Sequence, residues 1–499
     1  MPGRTPSEIF SSLYTVPQLR KRFVFTIFAL IVYRVGFAIP VPGIDSVRFA
    51  KALEDVLGDS WAAGLLGIYN TLSAGAIMDF TIFSLGIMPY ISSEIIFQLL
   101  TKVVPSLEEL SKEGEQGRRK LKQYSRFLTI AICIVQAAFV CSLMLNDPKL
   151  SGTMTSEFSG QEVMFYLSTI LTMTAGTFFL IFLGDKITEK GIGNGVSLII
   201  QAGILASIPQ TVLKLAGPMF DSKSSPSEAV EAFVALLLLI AMFVTITYGI
   251  VQITLGRREI PIQHQKHARS TGGGARRQTI PLRVDQAGVI PIIFASALLV
   301  FPTLFFGQIG RWLSTELTAD SSWTFVRIIC EDIEDAFNGF GWMYEMCYVG
   351  LIVFFTYFWT QLTFSPTELS KNMREWGAYI PGVRPGADTV AYLTTVLKRM
   401  TLAGATFLSL VAIVPNLFPH IASAVFGDSQ ALTENRLFFR IIGGTGLLIV
   451  VSVALDLVQR VEAELVTRSY DGLTSPSGTG TPGTDGAAPQ SVDQRRVRR

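Results

Sequence analysis

Glu94 is the side chain of this chain that combines reactive chemistry with an unusual place. It lies inside an apolar stretch and follows Ile87 and Ile91 at helical spacing (i, i+4, i+7), with Gln98 four residues further on. A carboxylate facing hydrocarbon is costly, so such a residue faces a wet cavity or forms a structural bond to another helix. It lacks the companions of a catalyst: no Ser–His, paired-Asp or zinc constellation accompanies it in the apolar stretches. His264 and His267 are three apart in a basic loop without acidic or thiol neighbours, and His420 stands alone, so no metal site is expected. Cys133 and Cys141 share one apolar stretch and read as free buried thiols, whereas Cys330 and Cys347 could meet outside a membrane without their spacing deciding it. Gly191-Ile-Gly-Asn-Gly195 lacks a following Gly-Lys-Ser/Thr and a βαβ unit, which makes it a tight turn rather than a phosphate cradle. No cofactor is expected and the chain does not read as an enzyme. Without a Walker motif, energy for any transport must come from a partner or an ion gradient.

These residues are positioned by ten apolar stretches, at about 23–41, 79–101, 127–146, 163–183, 195–215, 230–254, 287–307, 343–364, 401–419 and 438–458. Each is long enough to cross a bilayer. Hydrophobic residues make up 49% of the 499 and charged residues 16%. The charged share falls well below the roughly 25% of soluble domains, which excludes an ordinary soluble fold. The expectation is an all-α polytopic membrane protein. The first stretch ends in Phe37-Ala-Ile-Pro40 and is too long for a signal-peptide core, so it reads as a retained span.

Charge sets the orientation. Lys102, Lys112 and Arg118 to Arg126 lie between stretches two and three; Arg257, Arg258, Lys266, Arg276 and Arg277 lie between six and seven; Lys371, Arg374, Arg384 and Lys398 lie between eight and nine. The loops of opposite parity are poor in Lys and Arg, so the basic loops and both termini are expected in the cytoplasm. The net charge of +2 is too small to indicate a partner. Residues 61–77 are apolar, glycine-interrupted and too short to cross, which suggests a segment folding back from outside. Residues 308–342 form an acidic external segment, and the tail from about 473 turns to Ser, Thr, Gly and Pro and is expected to be disordered.

One internal echo organises the rest. Gly86-Ile-Met-Pro89-Tyr-Ile91 in stretch two matches Gly288-Val-Ile-Pro291-Ile-Ile293 in stretch seven. Stretches five apart cross in opposite directions, as inverted halves of five helices would, and Gly/Pro-interrupted spans at corresponding positions point to the working site. The polar inventory there is thin and the interrupted spans present isoleucines. An apolar constriction can close a pore by dewetting. This suggests a gate whose cargo is itself a chain; the competing reading is a secondary transporter of a small solute built on inverted repeats.

The run Leu85-Gly-Ile-Met-Pro-Tyr-Ile-Ser92 with Gln98-Leu-Leu-Thr101 resembles the second helix of the bacterial SecY family. So do Lys112-Glu-Gly-Glu-Gln-Gly-Arg-Arg119, Ile187-Thr-Glu-Lys-Gly-Ile-Gly-Asn-Gly195, Ala287-Gly-Val-Ile-Pro291 and Pro381-Gly-Val-Arg-Pro-Gly386, in order and in matching inter-span positions over roughly residues 15–470. The resemblance implies a clamshell: a cytoplasmic segment 1–22, a first half 23–215 with a plug at about 61–77, a second half 230–458 with cytoplasmic loops 255–286 and 365–399, and a tail 473–499. It implies the central channel of the Sec translocon in the bacterial inner membrane, passing unfolded preproteins and releasing transmembrane segments sideways into lipid. The pore ring would be Ile87, Ile91, Val196, Ile200, Ile293 and Ile449. Ser92, Glu94, Gln98 and Pro291 would line the lateral gate, and Arg257, Arg258, Lys266 and Arg384 would meet the SecA motor ATPase or the ribosome. Small subunits resembling SecE and SecG, preprotein and signal peptides complete the implied partners. Val196 is smaller than the commonest ring residue, Glu94 replaces a usually uncharged one, and His267 follows Lys266 where a permanent base is common.

Overall fold

The computed structural model describes residues 17–57, 76–77, 80–146, 150, 152–154, 161–220, 226–264, 278–296, 298–299, 342–426 and 444–474. The chain is predominantly helical: α1 Pro17–Gly36, α2 Ser46–Leu57, α3 Met88–Val103, α4 Pro105–Lys112, α5 Glu115–Asn146, α6 Glu162–Lys190, α7 Gly195–Phe220, α8 Pro226–Leu255, α9 Trp342–Thr363, α10 Pro366–Glu375, α11 Ala387–Phe426 and α12 Gly444–Thr474. Further helical turns run over 290–296. Among the described residues, five helices are long and apolar enough to cross a membrane: Glu115–Ser142, Glu162–Lys190, Ala232–Leu255, Met343–Glu375 and Ala387–Val414. Helices satisfy all their backbone groups internally, the condition hydrocarbon imposes.

Two of the expected spans begin later than their hydropathy suggests. The apolar run from 79 does not become helix until Met88, and the run from 287 not until 290. Gly86 at φ +57° and Gly288 at φ +61° turn the chain just before each helix, a conformation glycine adopts without penalty. The hydrogen bonds repeat as well: Tyr90 and Ile91 N–H both donate to the Ile87 carbonyl, and Ile292 and Ile293 N–H both donate to Val289. The sequence echo is therefore an echo of backbone geometry. Non-helical backbone before α3 is held by protein partners: Val41 N–H donates to Phe80 O (3.0 Å), Ile82 N–H to Ile39 O (3.1 Å), and the Thr177 hydroxyl to Gly86 O (3.2 Å).

Other helices outrun their apolar stretches. α5 starts at Glu115 rather than 127 and α11 at Ala387 rather than 401, each extending through a basic, polar sequence. α1 starts at Pro17 and takes in Arg20, Lys21 and Arg22, and α12 continues to Thr474. The amphipathic α2 has no counterpart in the hydropathy reading; it buries Phe49 and Leu53 and exposes Val47. Asp45 caps it by accepting from Val47 and Arg48 N–H.

The two long basic loops fold together. β1 Arg257–His264 and β2 Gln278–Arg283 pair antiparallel, with Ile260 opposite Ile280, and β3 Ala378–Tyr379 adds to the other edge of β1 through Gln263 and His264. The sheet order is β2-β1-β3. Ile260, Leu282, Met373, Ile380, Leu393 and Val396 give this unit its own core. Elsewhere the apolar interior divides. Residues of α1, α6 and α7 pack around Phe83 and Ile87. Residues of α8, α9, α11 and α12 pack around Ile292 and Ala295.

Of the remaining sequence expectations, Cys133 and Cys141 are buried free thiols and Cys347 is free. The Gly191–Gly195 segment is a turn with Gly193 at φ +83°. His264 ends β1 and His420 falls in α11. Only Ala76 and Ile77 of the expected plug are described, and both are buried. Lys266, His267, Cys330, most of the acidic segment and the tail beyond 474 lie outside the described residues.

Candidate functional site

The two apolar interiors meet at a third, smaller cluster. α7 begins directly after the Gly191–Gly195 turn and repeats branched residues every four positions: Val196, Ile200 and Ile204. That spacing lines one face of a helix. Ile200 and Ile204 pack with Ile449 of α12, and Ile91, Val196, Val289, Ile293, Val450 and Val453 close around them. Ile449 and Ile204 are each only 2% exposed. Gln201 Nε2 donates to the Val450 carbonyl at 3.1 Å and fixes α7 against α12.

Five expected ring residues, Ile91, Val196, Ile200, Ile293 and Ile449, thus lie in one cluster. Ile87 lies one turn before Ile91, packed with Tyr33, Phe83 and Leu180, and Ile91 and Val196 also touch that group. Every side chain in the junction is a branched aliphatic, so nothing in it offers water a hydrogen bond. Sequence reasoning did not single out Ile204, Val289, Val450 and Val453. Two had a signal: Ile204 continues the fourfold spacing, and Val289 follows Gly288 as Ile87 follows Gly86.

α3 contributes to both interiors, as α12 does through Leu447 and Leu448 in one and Val453 and Leu457 in the other. Met88 and Ile95, with Leu99 beside them, enter the interior built by α8, α9 and α11, while Tyr90 belongs to that of α1 and α6. The face toward α5 is polar. The Ser93 hydroxyl donates to the Ser125 carbonyl and lies 3.1 Å from the Ser125 hydroxyl. Ser92 is buried, and Pro291 occupies the first turn at 290–296 as Pro89 does in α3. Gln98 Oε1 is buried with no hydrogen-bond partner among the described residues. Glu94 forms its hydrogen bond within its own helix: it is half-buried and accepts from the Tyr90 hydroxyl. Nearby, Lys122 and Arg126 of α5 both bind Asp185 of α6 at 2.6 Å, and Lys122 and Asp185 are close enough for Glu94 to feel their charges.

The sheet presents the basic residues. Arg257, Arg258 and Arg384 are exposed. Gly382 at φ +82° and Gly386 at φ +109° shape the loop around Arg384, whose carbonyl accepts from the Thr389 hydroxyl at 2.8 Å. Arg283 Nη2 donates to Gln459 Oε1 of α12 at 3.0 Å, tying the sheet to the helix that carries Ile449. Asp285 accepts from Gly288 N–H at 2.8 Å and so caps the turn before Ile293; burial raises its carboxyl above the ordinary value, against the pull of that bond. Among the described residues, no group of His, Cys, Asp and Glu is placed to hold a metal.

The arrangement is an aliphatic junction between two apolar interiors, bordered by α3 and α12, which contribute to both, and linked to an exposed basic sheet. The SecY family model matches residues 81–458. A protein of Mycobacterium tuberculosis named Protein translocase subunit SecY is 37% identical over 472 residues, covering 94% of this chain and 99% of the relative. Among solved structures, one described as "The structure of a protein conducting channel" aligns with a TM-score of 0.56 at 18% identity, covering 94% of this chain and 99% of that one. Another, "Sec61 in the Canine ribosome-channel complex from the endoplasmic reticulum", aligns with a TM-score of 0.53 at 18% identity, covering 94% and 99%. At that identity the structural matches speak for the fold.

Proposed function

The chain belongs to the SecY family, and from that premise we propose how its geometry conducts protein. It is the channel subunit of a protein translocase in a membrane, and by family it is not an enzyme. Nothing supports the small-solute alternative. The observation that carries the mechanism is the aliphatic junction of Ile91, Val196, Ile200, Ile293 and Ile449, contributed by helices of both halves. With Ile87 it forms the ring through which an unfolded chain passes. Aliphatic side chains dewet the closed pore against ions, yet they make no hydrogen bond that would hold a moving polypeptide.

Ten spans in two inverted halves surround the ring, with both termini and the basic loops in the cytoplasm. Residues 61–77 serve as the plug. α3 and the helix from 290 bound the lateral gate, where Ser92, Glu94, Gln98 and Pro291 stand. Opening there exposes a passing segment to lipid, and each Leu, Ile or Phe at its centre favours insertion by about 0.3–0.6 kcal/mol. Energy comes from outside the chain, from a SecA-like motor or a translating ribosome docked on Arg257, Arg258, Lys266 and Arg384. Arginine suits carboxylate and phosphate equally, so both partners fit the same surface. SecE-like and SecG-like subunits complete the assembly.

A photoreactive residue at Ile91 or Ile293, in membranes supplied with motor and ATP and a precursor stalled midway, tests the reading. Adducts from both positions to the mature part of the precursor, absent without ATP, are expected. Failure at both, while a control translocon crosslinks normally, removes the ring from the path of the chain.

A further inference from the structure

Trp376 is 70% exposed, and it is the one tryptophan among the exposed large apolar side chains of the described residues. The fold holds it there. α10 buries Ser370 and Met373 on one face and leaves Lys371, Arg374 and Glu375 outside. Trp376 caps the helix with its N–H on Asn372 O (3.0 Å), and Gly377 at φ +65° then turns the chain into β3. The Tyr379 hydroxyl donates to Gln263 Oε1 at 3.1 Å and locks that strand to β1. The indole is thus carried on a rigid turn of the sheet unit.

Trp376 follows directly on the candidate span Met343–Glu375, but the apolar part of that span ends with α9 at Thr363 and the polar α10 lies between, which argues against the usual reason for an exposed tryptophan in a membrane protein. Aromatic belts sit at the lipid headgroups, next to the ends of spans. β3 pairs with Gln263 and His264, the last residues of β1, while α8 joins the opposite end of that strand. Eight residues of strand separate the two ends by about 23 Å. Trp376 therefore stands at the end of the sheet remote from where α8 enters it.

Resting on the reading that the basic loops dock a partner, we infer that Trp376 is a stacking platform for an unpaired base of ribosomal RNA, with Arg374, Lys371 and Arg384 taking the neighbouring phosphates. The surroundings choose RNA over a protein pocket. An anchoring tryptophan in a protein interface lies at the centre of a close-packed, desolvated patch. Here no other large apolar side chain between 365 and 400 is exposed, and the exposed neighbours of the indole in sequence are charged or polar. One exposed flat ring in a basic loop, with the exposed Arg374 two residues before it, is instead suited to holding a base through stacking and phosphate contacts that tolerate sequence variation. Glu375 beside the ring disfavours an acidic protein partner no less than it disfavours phosphate. It therefore leaves the aromatic face as the deciding feature.

The test uses the full chain in lipid vesicles and vacant bacterial ribosomes as the probe, with binding measured by co-flotation. Trp376→Ala is expected to weaken binding about five-fold or more, and Trp376→Phe to restore most of it, since base stacking on an aromatic ring contributes upwards of roughly a five-fold affinity. A photoreactive residue at 376 is expected to give adducts that ribonuclease digests. Unchanged ribosome affinity in Trp376→Ala overturns the assignment and leaves the docking surface standing. Adducts to protein alone, or weakened binding of a motor ATPase with ribosome binding intact, overturn it in favour of a protein partner. If the unaltered chain binds no ribosomes, the docking reading itself fails.

Discussion

Ile91 is the one side chain of the proposed ring that touches these three apolar groups: the interior around Phe83, the interior around Ile292, and the junction between them. Its chemistry therefore bears most directly on the seal. Ile91 is half-buried, so replacing it by a small residue costs less than the about 2–5 kcal/mol that a fully buried isoleucine loses through burial and a residual cavity. Serine adds a hydroxyl that offers water a foothold in a constriction that works by excluding it. Ile91→Ser is expected to raise the ion conductance of the resting channel in planar bilayers, while Ile91→Leu, which conserves volume, stays tight. A serine variant as tight as the unaltered chain would remove Ile91 from the seal. The places of Ile91 and Ile293 were legible in the sequence because Pro89 and Pro291 mark their turns. Glu94 was less legible: periodicity gave its face, but its partner, Tyr90, depends on side-chain rotamers that no spacing encodes.

At the scale of elements, the sequence shows the apolar runs well and their ends poorly. Hydropathy does not distinguish helix from irregular backbone that neighbouring protein satisfies, so residues 80–87 read as span although Ile39, Val41 and Thr177 serve their backbone instead. The sheet was illegible for a different reason. β1 and β2 are short strands in a basic loop, and β3 pairs across more than a hundred residues, beyond the reach of any local signal. What was legible is the Gly-x-x-Pro frame, and its glycine can be tested. A Cβ at Gly288 would meet nothing within 4 Å, so substitution there carries only the backbone penalty of φ +61°. That penalty is about 1–2 kcal/mol for alanine and smaller for asparagine, which tolerates the left-handed region. Thermal unfolding in detergent is expected to rank Gly288 above Gly288→Asn and both above Gly288→Ala. Equal midpoints for Gly288 and Gly288→Ala would mean that the turn before Ile293 does not depend on its conformation.

Among the described residues two apolar interiors meet at an aliphatic junction, and the proposed division into two halves has a consequence for assembly. α1, α6 and α7 pack around Phe83 and Ile87, and α8, α9 and α11 around Ile292, so each half brings an interior of its own. Covalent continuity between them runs through the link from Phe220 to Pro226, between α7 and α8. Membrane helices are stable individually once inserted, and their association depends on packing rather than on the connecting chain. The side chains that would rejoin the halves are aliphatic and buried or half-buried, and Gln201 adds a bond from α7 to the Val450 carbonyl of α12. Fragments 1–220 and 226–499, expressed together, are therefore expected to copurify and to translocate a precursor, and expressed singly to be degraded. Gln201→Leu removes the bond across the seam, leaves the Val450 carbonyl without that donor, and should weaken copurification of the split pair more than it affects the continuous chain. If the paired fragments fail to associate while each inserts normally, the link does more than connect. The halves would then have to be read as one folding unit rather than two bodies that open along their seam.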